Sequence, residues 1–321
     1  IGWAIALDGK NVDARIALAQ TYEGKEALEC YKKAFETAPS DPRALGGFVQ
    51  AKIIEEQNLD FLSIIGPSLE EGIKTCRERA NVGVYLPHAY YDIGMFALLL
   101  GRPYESLSAY CKAIQKDPES NEIETALDRV KALQQKAPEQ KDIQFEWIKR
   151  LLVLAKIVKS VRTTETSEND IMESIPDMAK QEFADANIYP GELLEFECPV
   201  VIVAGGCDKK VEDRILEYQT LFNKAFEGFQ GTIFSGGTKA GISGIVGELD
   251  SSKERHIRKV AYFPEFLPPE TEIHEAYKEN LYKTRGIGFS ALEPLQNWID
   301  FLASGINPAD VKLLGVNGGK I

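Results

Sequence analysis

No CxxC pair occurs in this chain of 321 residues, and its five cysteines, Cys30, Cys76, Cys111, Cys198 and Cys207, lie far apart. That spacing offers neither a zinc cluster nor a disulfide framework and suits reduced thiols in a cytoplasmic protein. Histidine is scarce: only His88, His256 and His274 are present, and the sequence suggests no Cys or Ser partner for any of them. Basic runs are missing too. Lys and Arg number 37 against 49 Asp and Glu, for a net charge of −12, so the surface repels nucleic-acid phosphates. No apolar run reaches the roughly 20 residues that a membrane helix needs. A GxxxxGK[ST] loop is lacking, and so is a GxGxxG turn after the first apolar strand, which removes the usual ATPase, GTPase and NAD signatures. No metal and no cofactor is expected from this composition.

What is present reads as globular: 44% apolar and 27% charged residues. The length suggests two domains. The chain begins at Ile1, with no initiator Met, and ends at Ile321 just after a glycine pair. The expectation is a piece of a larger protein, truncated at its C-terminus.

The front part, residues 1–161, has a helical period with an internal repeat. Between Pro87 and Pro118 come Tyr90, Ile93, Gly94, Gly101, Tyr110 and Ala113. Gly94 would let two helices approach closely, Ala113 is small where they cross, and Pro118 stops the second. A second copy lies in Glu26 to Pro39, with Ala27, Tyr31 and Ala34 at matching offsets. The first helix of that copy, Ala14 to Tyr22, is short. Further helices are expected over Pro42 to Arg79, near Asn121 to Gln135, and over Gln140 to Val161. The period of about 34 residues resembles the tetratricopeptide repeat. Such arrays hold partner proteins or associate with themselves, and they can also simply brace the next domain.

A joint follows at residues 162–190. Arg162 to Asp170 is polar and aperiodic, as a linker is. A short helix over Ile171 to Phe183 contains Pro176.

Residues 191–321 read as a parallel α/β sheet of Rossmann type. Pro199 to Ala204 is a β-branched apolar run, the pattern of a strand buried on both faces. Gly231 to Phe234, Val260 to Phe263 and Val311 to Val316 are the other strand candidates. Helices are expected from Lys210 to Glu227, from Thr238 onward, and over Ser290 to Ala303, where Leu292, Leu295, Trp298, Ile299 and Leu302 form one stripe. Three strands run into glycine pairs: Gly205-Gly206, Gly236-Gly237 and Gly318-Gly319. The carboxyl ends of parallel strands share one edge, where glycines and helix N-termini suit a phosphate.

The run Ser235 to Leu249, SGGTKAGISGIVGEL, resembles the SLOG superfamily, and more narrowly its TRPM-like branch, called LSDAT. Val201 to Gly206, Gly286 to Asp300 and Leu313 to Ile321 fit prokaryotic members of that branch, so the resemblance spans about residues 195–321. It implies binding of an ADP-ribose-like or cyclic-nucleotide-derived ligand, in multidomain proteins of nucleotide signalling and defence. Carried over by position, Gly205 and Gly206 would form the first phosphate loop, and Cys207 follows at the loop–helix junction as a further candidate ligand contact. Ser235, Gly236, Gly237 and Thr238 would form the second, with Gly241 opening the helix. Asn317, Gly318, Gly319 and Lys320 would form the third.

Some SLOG relatives are phosphoribohydrolases that use PGGxGTxxE. This chain reads SGGTKAGIS and lacks that acid; Glu248 and Asp250 come about three turns into the helix. No catalytic residue is therefore assigned. A nucleotide sensor is the leading expectation, with a nucleotide N-glycosidase as the alternative and a repeat scaffold whose α/β domain is ligand-free as the third reading.

Overall fold

A computed structural model describes residues 10–56, 58–117, 121–137, 139–162, 168–188, 195–205, 217–249 and 256–316. The chain divides into two compact units, Ile1–Lys159 and Ser160–Ile321.

The first unit is helical. Its helices are α1 (Val12–Ala19), α2 (Gly24–Thr37), α3 (Pro42–Glu56), α4 (Leu62–Asn81), α5 (His88–Leu99), α6 (Pro103–Lys116) and α7 (Asn121–Gln134). Helix α8 (Glu139–Arg162) runs past the unit boundary between Lys159 and Ser160. Small residues decide how closely they pack. A Cβ built on Gly94 would stand 2.6 Å from the Tyr110 ring, so only glycine lets α5 and α6 meet there. The Ser106 hydroxyl donates to the Gly94 carbonyl at 2.7 Å across the same contact, and Ala113 is fully buried. The α2–α3 pair repeats the device: a Cβ on Gly47 would stand 2.2 Å from Tyr31. Pro118, expected to stop α6, lies outside the described residues; α6 ends at Lys116.

The second unit opens with α9 (Glu168–Asp185), which packs on α12 (Leu292–Ala303). The helix expected in the joint is longer than its sequence pattern suggested and belongs to the second unit. The sheet contains β1 (Val200–Gly205), β2 (Gly231–Ser235), β3 (Ile257–Phe266), β4 (Leu281–Ile287) and β5 (Val311–Val316), all parallel, in the order β4-β3-β2-β1-β5. Helices α10 (Gln219–Ala225) and α11 (Gly241–Glu248) lie on one face, over Val203, Ile233, Ala261 and Phe263. Helix α12 covers the other, where Phe301 meets Val200, Ile202, Phe234 and Tyr262.

Two expectations need correction. Strand β4, LYKTRGI, had no apolar signature because it is an edge strand; of its side-chain-bearing positions only Thr284 is buried. Helix α11 begins at Gly241, not at Thr238, so Glu248 ends it after about two turns instead of sitting three turns along. Among the described residues no helix is long and apolar enough to cross a membrane.

Candidate functional site

The strand order reverses at β1. From β1 the chain steps outward to β2, β3 and β4, then returns to place β5 on the opposite side. The crevice between β1 and β5 is the switch point, the usual ligand position in open α/β sheets. Gly205 at the end of β1 is level with Val316 at the end of β5. On the other side, Ile202 pairs with Phe234, which sets Ser235 level with Val203. The Ser235 hydroxyl donates to the Val203 carbonyl at 3.2 Å. Gly205 and the Ser235-Gly236-Gly237 turn thus share one edge.

Each of these glycines answers to the protein's own packing. A Cβ on Gly205 would lie 2.5 Å from Ile242 and 2.8 Å from the Val316 carbonyl. On Gly236 it would lie 2.7 Å from the Ser243 hydroxyl. Gly237 has φ +71°, and its Cβ would lie 2.4 Å from Ala261 and 2.7 Å from the Phe263 ring. Gly205 and Gly236 let α11 lie close to the sheet, which brings the helix N-terminus to the edge, while Gly237 lets the turn pass close over β3. Ala240 precedes the helix in extended geometry and supplies no side-chain cap. The first N–H groups of α11 therefore stand at the crevice with the positive end of the helix dipole.

A second segment clamps the turn. Thr238 pairs antiparallel with Ile273. Lys239 N–H donates to the Glu272 carbonyl at 2.9 Å, and His274 N–H to the Gly237 carbonyl at 3.0 Å. The Thr238 hydroxyl, expected as a ligand donor, gives its proton to the Ala240 carbonyl at 3.0 Å. Beneath the turn, the Ser235 and Ser243 hydroxyls are 3.1 Å apart, and the Tyr277 hydroxyl donates to the Ser243 carbonyl at 2.9 Å. Burial pushes the Tyr277 phenol well above its ordinary range, so it stays a neutral donor. Sequence pattern shows no sign of this clamp, because residues 268–274 carry no apolar period. Of the expected site residues, Gly206, Cys207, Asn317, Gly318, Gly319 and Lys320 lie outside the described residues.

Two other polar groups brace the sheet. Lys259 on β3 is buried and donates to the Gly247 carbonyl at 2.7 Å and also to that of Leu249, closing the C-terminal end of α11. Glu293 is buried at the start of α12, accepting from Ser290 N–H at 2.7 Å and from the Thr284 hydroxyl. The Ser290 hydroxyl in turn accepts from Leu292 N–H at 3.1 Å, so Ser290 and Glu293 together fix the chain where α12 begins.

His274, which lies in a polar stretch of sequence, is half-hidden against Gly247. Its Nδ1 accepts from Ala276 N–H at 3.2 Å, which leaves Nε2 to donate to Glu248, 2.9 Å away. The side-chain pair thus closes the C-terminal end of α11, while the His274 main chain holds the glycine turn.

The helical unit holds a polar cluster around Asp92. Asp92 on α5 is 7% exposed, and its Oδ2 has no hydrogen-bond partner among the described residues. Arg129 Nη1 lies 3.9 Å from Oδ1, and Tyr85, in a left-handed conformation with φ 62°, faces the same carboxylate. Burial raises the Asp92 carboxyl to about 6, against the opposing pull of Arg129.

Comparisons with protein-family models, with curated proteins and with solved structures find no match for this chain.

Proposed function

We propose that the second unit binds a phosphorylated nucleotide at the carboxyl edge of its sheet and acts as a sensor, not as a catalyst. One observation carries the reading: the N-terminus of α11 is set at a topological switch point by glycines at the ends of β1 and β2. Phosphate oxygens would accept from the first N–H groups of α11, and the clamp at Lys239 and His274 keeps that turn ordered before the ligand arrives. An ADP-ribose-like or cyclic-nucleotide-derived ligand is the class that the resemblance to the SLOG superfamily supports. The helical unit, in this reading a tetratricopeptide-like array, would pass the bound state to a partner or to a second copy. The absence of an acidic residue on the first turn of α11 favours binding over glycoside cleavage, since a carboxylate next to the sugar is what that chemistry uses.

Ala240→Asp is the most informative variant. Ala240 is exposed and already in N-cap geometry, so an aspartate there should cap α11 and leave stability equal or higher by about 1 kcal/mol. The same carboxylate would occupy the helix N-terminus and repel a phosphate. A thermal-shift panel of ADP-ribose, cyclic ADP-ribose isomers, NAD, AMP and cyclic dinucleotides should show stabilisation of the parent that Ala240→Asp abolishes. A ligand at about 100 times its Kd adds roughly 2.7 kcal/mol. A shift that survives in the variant would remove the site from this edge.

A further inference from the structure

Strand β3 does not stop where its neighbour does. Ser235, the last residue of β2, pairs with Ala261, and β3 continues through Tyr262 to Phe266. Five further residues at about 3.3 Å each carry it roughly 16 Å past β2. Strand β4 follows alongside, with Phe266 paired to Ile287 and Gly288 N–H donating to the Phe266 carbonyl at 2.9 Å. The two strands thus stand above the glycine edge as a wall.

The wall is apolar at its tip. Phe266 is 60% exposed, Ile287 87% and Phe289 40%. Exposed apolar side chains are ordinary singly and informative when grouped. These are also continuous with the glycine turn. The Phe263 ring is what a Cβ on Gly237 would strike, and the Phe289 ring packs edge-on against Phe263, centroids 5.8 Å apart. An unbroken path of contact runs from Gly237 through Phe263 to Phe289. The reading of the edge as a phosphate site provides a polar end for a ligand, and this path provides an apolar aromatic end beside it.

We infer that the β3–β4 wall is the seat of the ligand's base, with Phe289 as the stacking face and Ile287 and Phe266 as its rim. This rests on the phosphate reading of the glycine edge. It adds a chemical requirement that the edge alone does not impose: the ligand must carry a flat aromatic base, and a sugar phosphate without one binds weakly. Base–aromatic stacking is tolerant of base identity, because every base has a π-face. The wall therefore selects for the presence of a base more than for which base it is.

Equilibrium titrations of the full chain with AMP, with ribose 5-phosphate and with inorganic phosphate provide the test. The parent should bind AMP at least tenfold more tightly than ribose 5-phosphate, the range that one stacked base supplies. Phe289→Ala should erase that difference and leave ribose 5-phosphate affinity unchanged, whereas Phe289→Trp should keep it. Ile287→Asp, at a position with almost no buried contact, should weaken AMP in the same selective way and guards against loss of fold in the first variant. Equal AMP affinity in the parent, Phe289→Ala and Ile287→Asp would overturn the base seat while leaving the phosphate site intact. Failure of all three probes to bind the parent would overturn both. Loss of all three probes in Ala240→Asp, with Phe289→Ala affecting AMP alone, is the result both readings expect.

Discussion

Lys239 and Glu272 are joined twice. The Lys239 N–H donates to the Glu272 carbonyl at 2.9 Å, and the ammonium meets the carboxylate at 2.9 Å. The main-chain bond is the one that orders the glycine turn, since both side chains are largely exposed and their ion pair is screened. Glu272→Gln should therefore leave the melting temperature within about 1 °C of the parent. Glu272→Pro leaves the carbonyl in place but restricts the backbone of the clamping segment, and it should increase amide exchange across residues 236–240. Hydrogen exchange followed by mass spectrometry checks both.

Asp92 ties the stability of the helical unit to pH. Its folded-state carboxyl is raised from 3.8 to about 6, so the folded chain holds the proton more firmly than the unfolded chain. The contribution is fully present below pH 3.8 and is lost as pH rises through 6. A shift of that size corresponds to roughly 3 kcal/mol. Urea denaturation followed by helical circular dichroism should show Asp92→Asn reducing this loss, with its largest gain relative to the parent above pH 6. A gain that appears only below pH 4 would contradict the assignment.

Gly94→Ala tests the helix contact in isolation. The added methyl would stand 2.6 Å from the Tyr110 ring, which is itself fully buried and has nowhere to retreat. Overpacking of this kind costs about 1–3 kcal/mol. Gly94→Ala with Tyr110→Leu should recover part of that loss in a double-mutant cycle, because the two sites share one contact.

Lys259→Met keeps the apolar stem and removes the ammonium that closes α11. Hydrogen bonds to charged groups contribute about 1.5–3 kcal/mol, and the Gly247 and Leu249 carbonyls would each lose a partner. A loss of roughly 2–4 kcal/mol in the second unit is expected. A drop of less than 0.5 kcal/mol would mean that water replaces the lysine.

Much of this architecture was legible in the residues. The apolar run at Val200 to Ala204, the stripe on Leu292 to Leu302 and the small residues Gly94 and Ala113 each have one physical reading, and the structure uses them accordingly. What sequence pattern concealed has a common cause. Strand β4, the clamp at Glu272 to His274, the buried Lys259, which reaches back to Gly247, and the buried Asp300, which accepts from the Tyr262 hydroxyl, are all built from polar residues whose partners lie far along the chain. Local periodicity registers such residues as solvent-facing, because a long-range hydrogen bond leaves no trace in it. The glycines of the edge are a subtler case. Their clustering suggested a ligand, yet Gly205, Gly236 and Gly237 are each required by a protein neighbour, so the case for a ligand rests on where those contacts place α11.

Hydrogen exchange of the full chain with and without saturating ADP-ribose tests the central claim most directly. The account predicts new protection confined to the end of β1 and to residues 235–243, with none in Ala240→Asp. Protection confined to the helical unit, or none anywhere at a concentration that saturates binding, would contradict it.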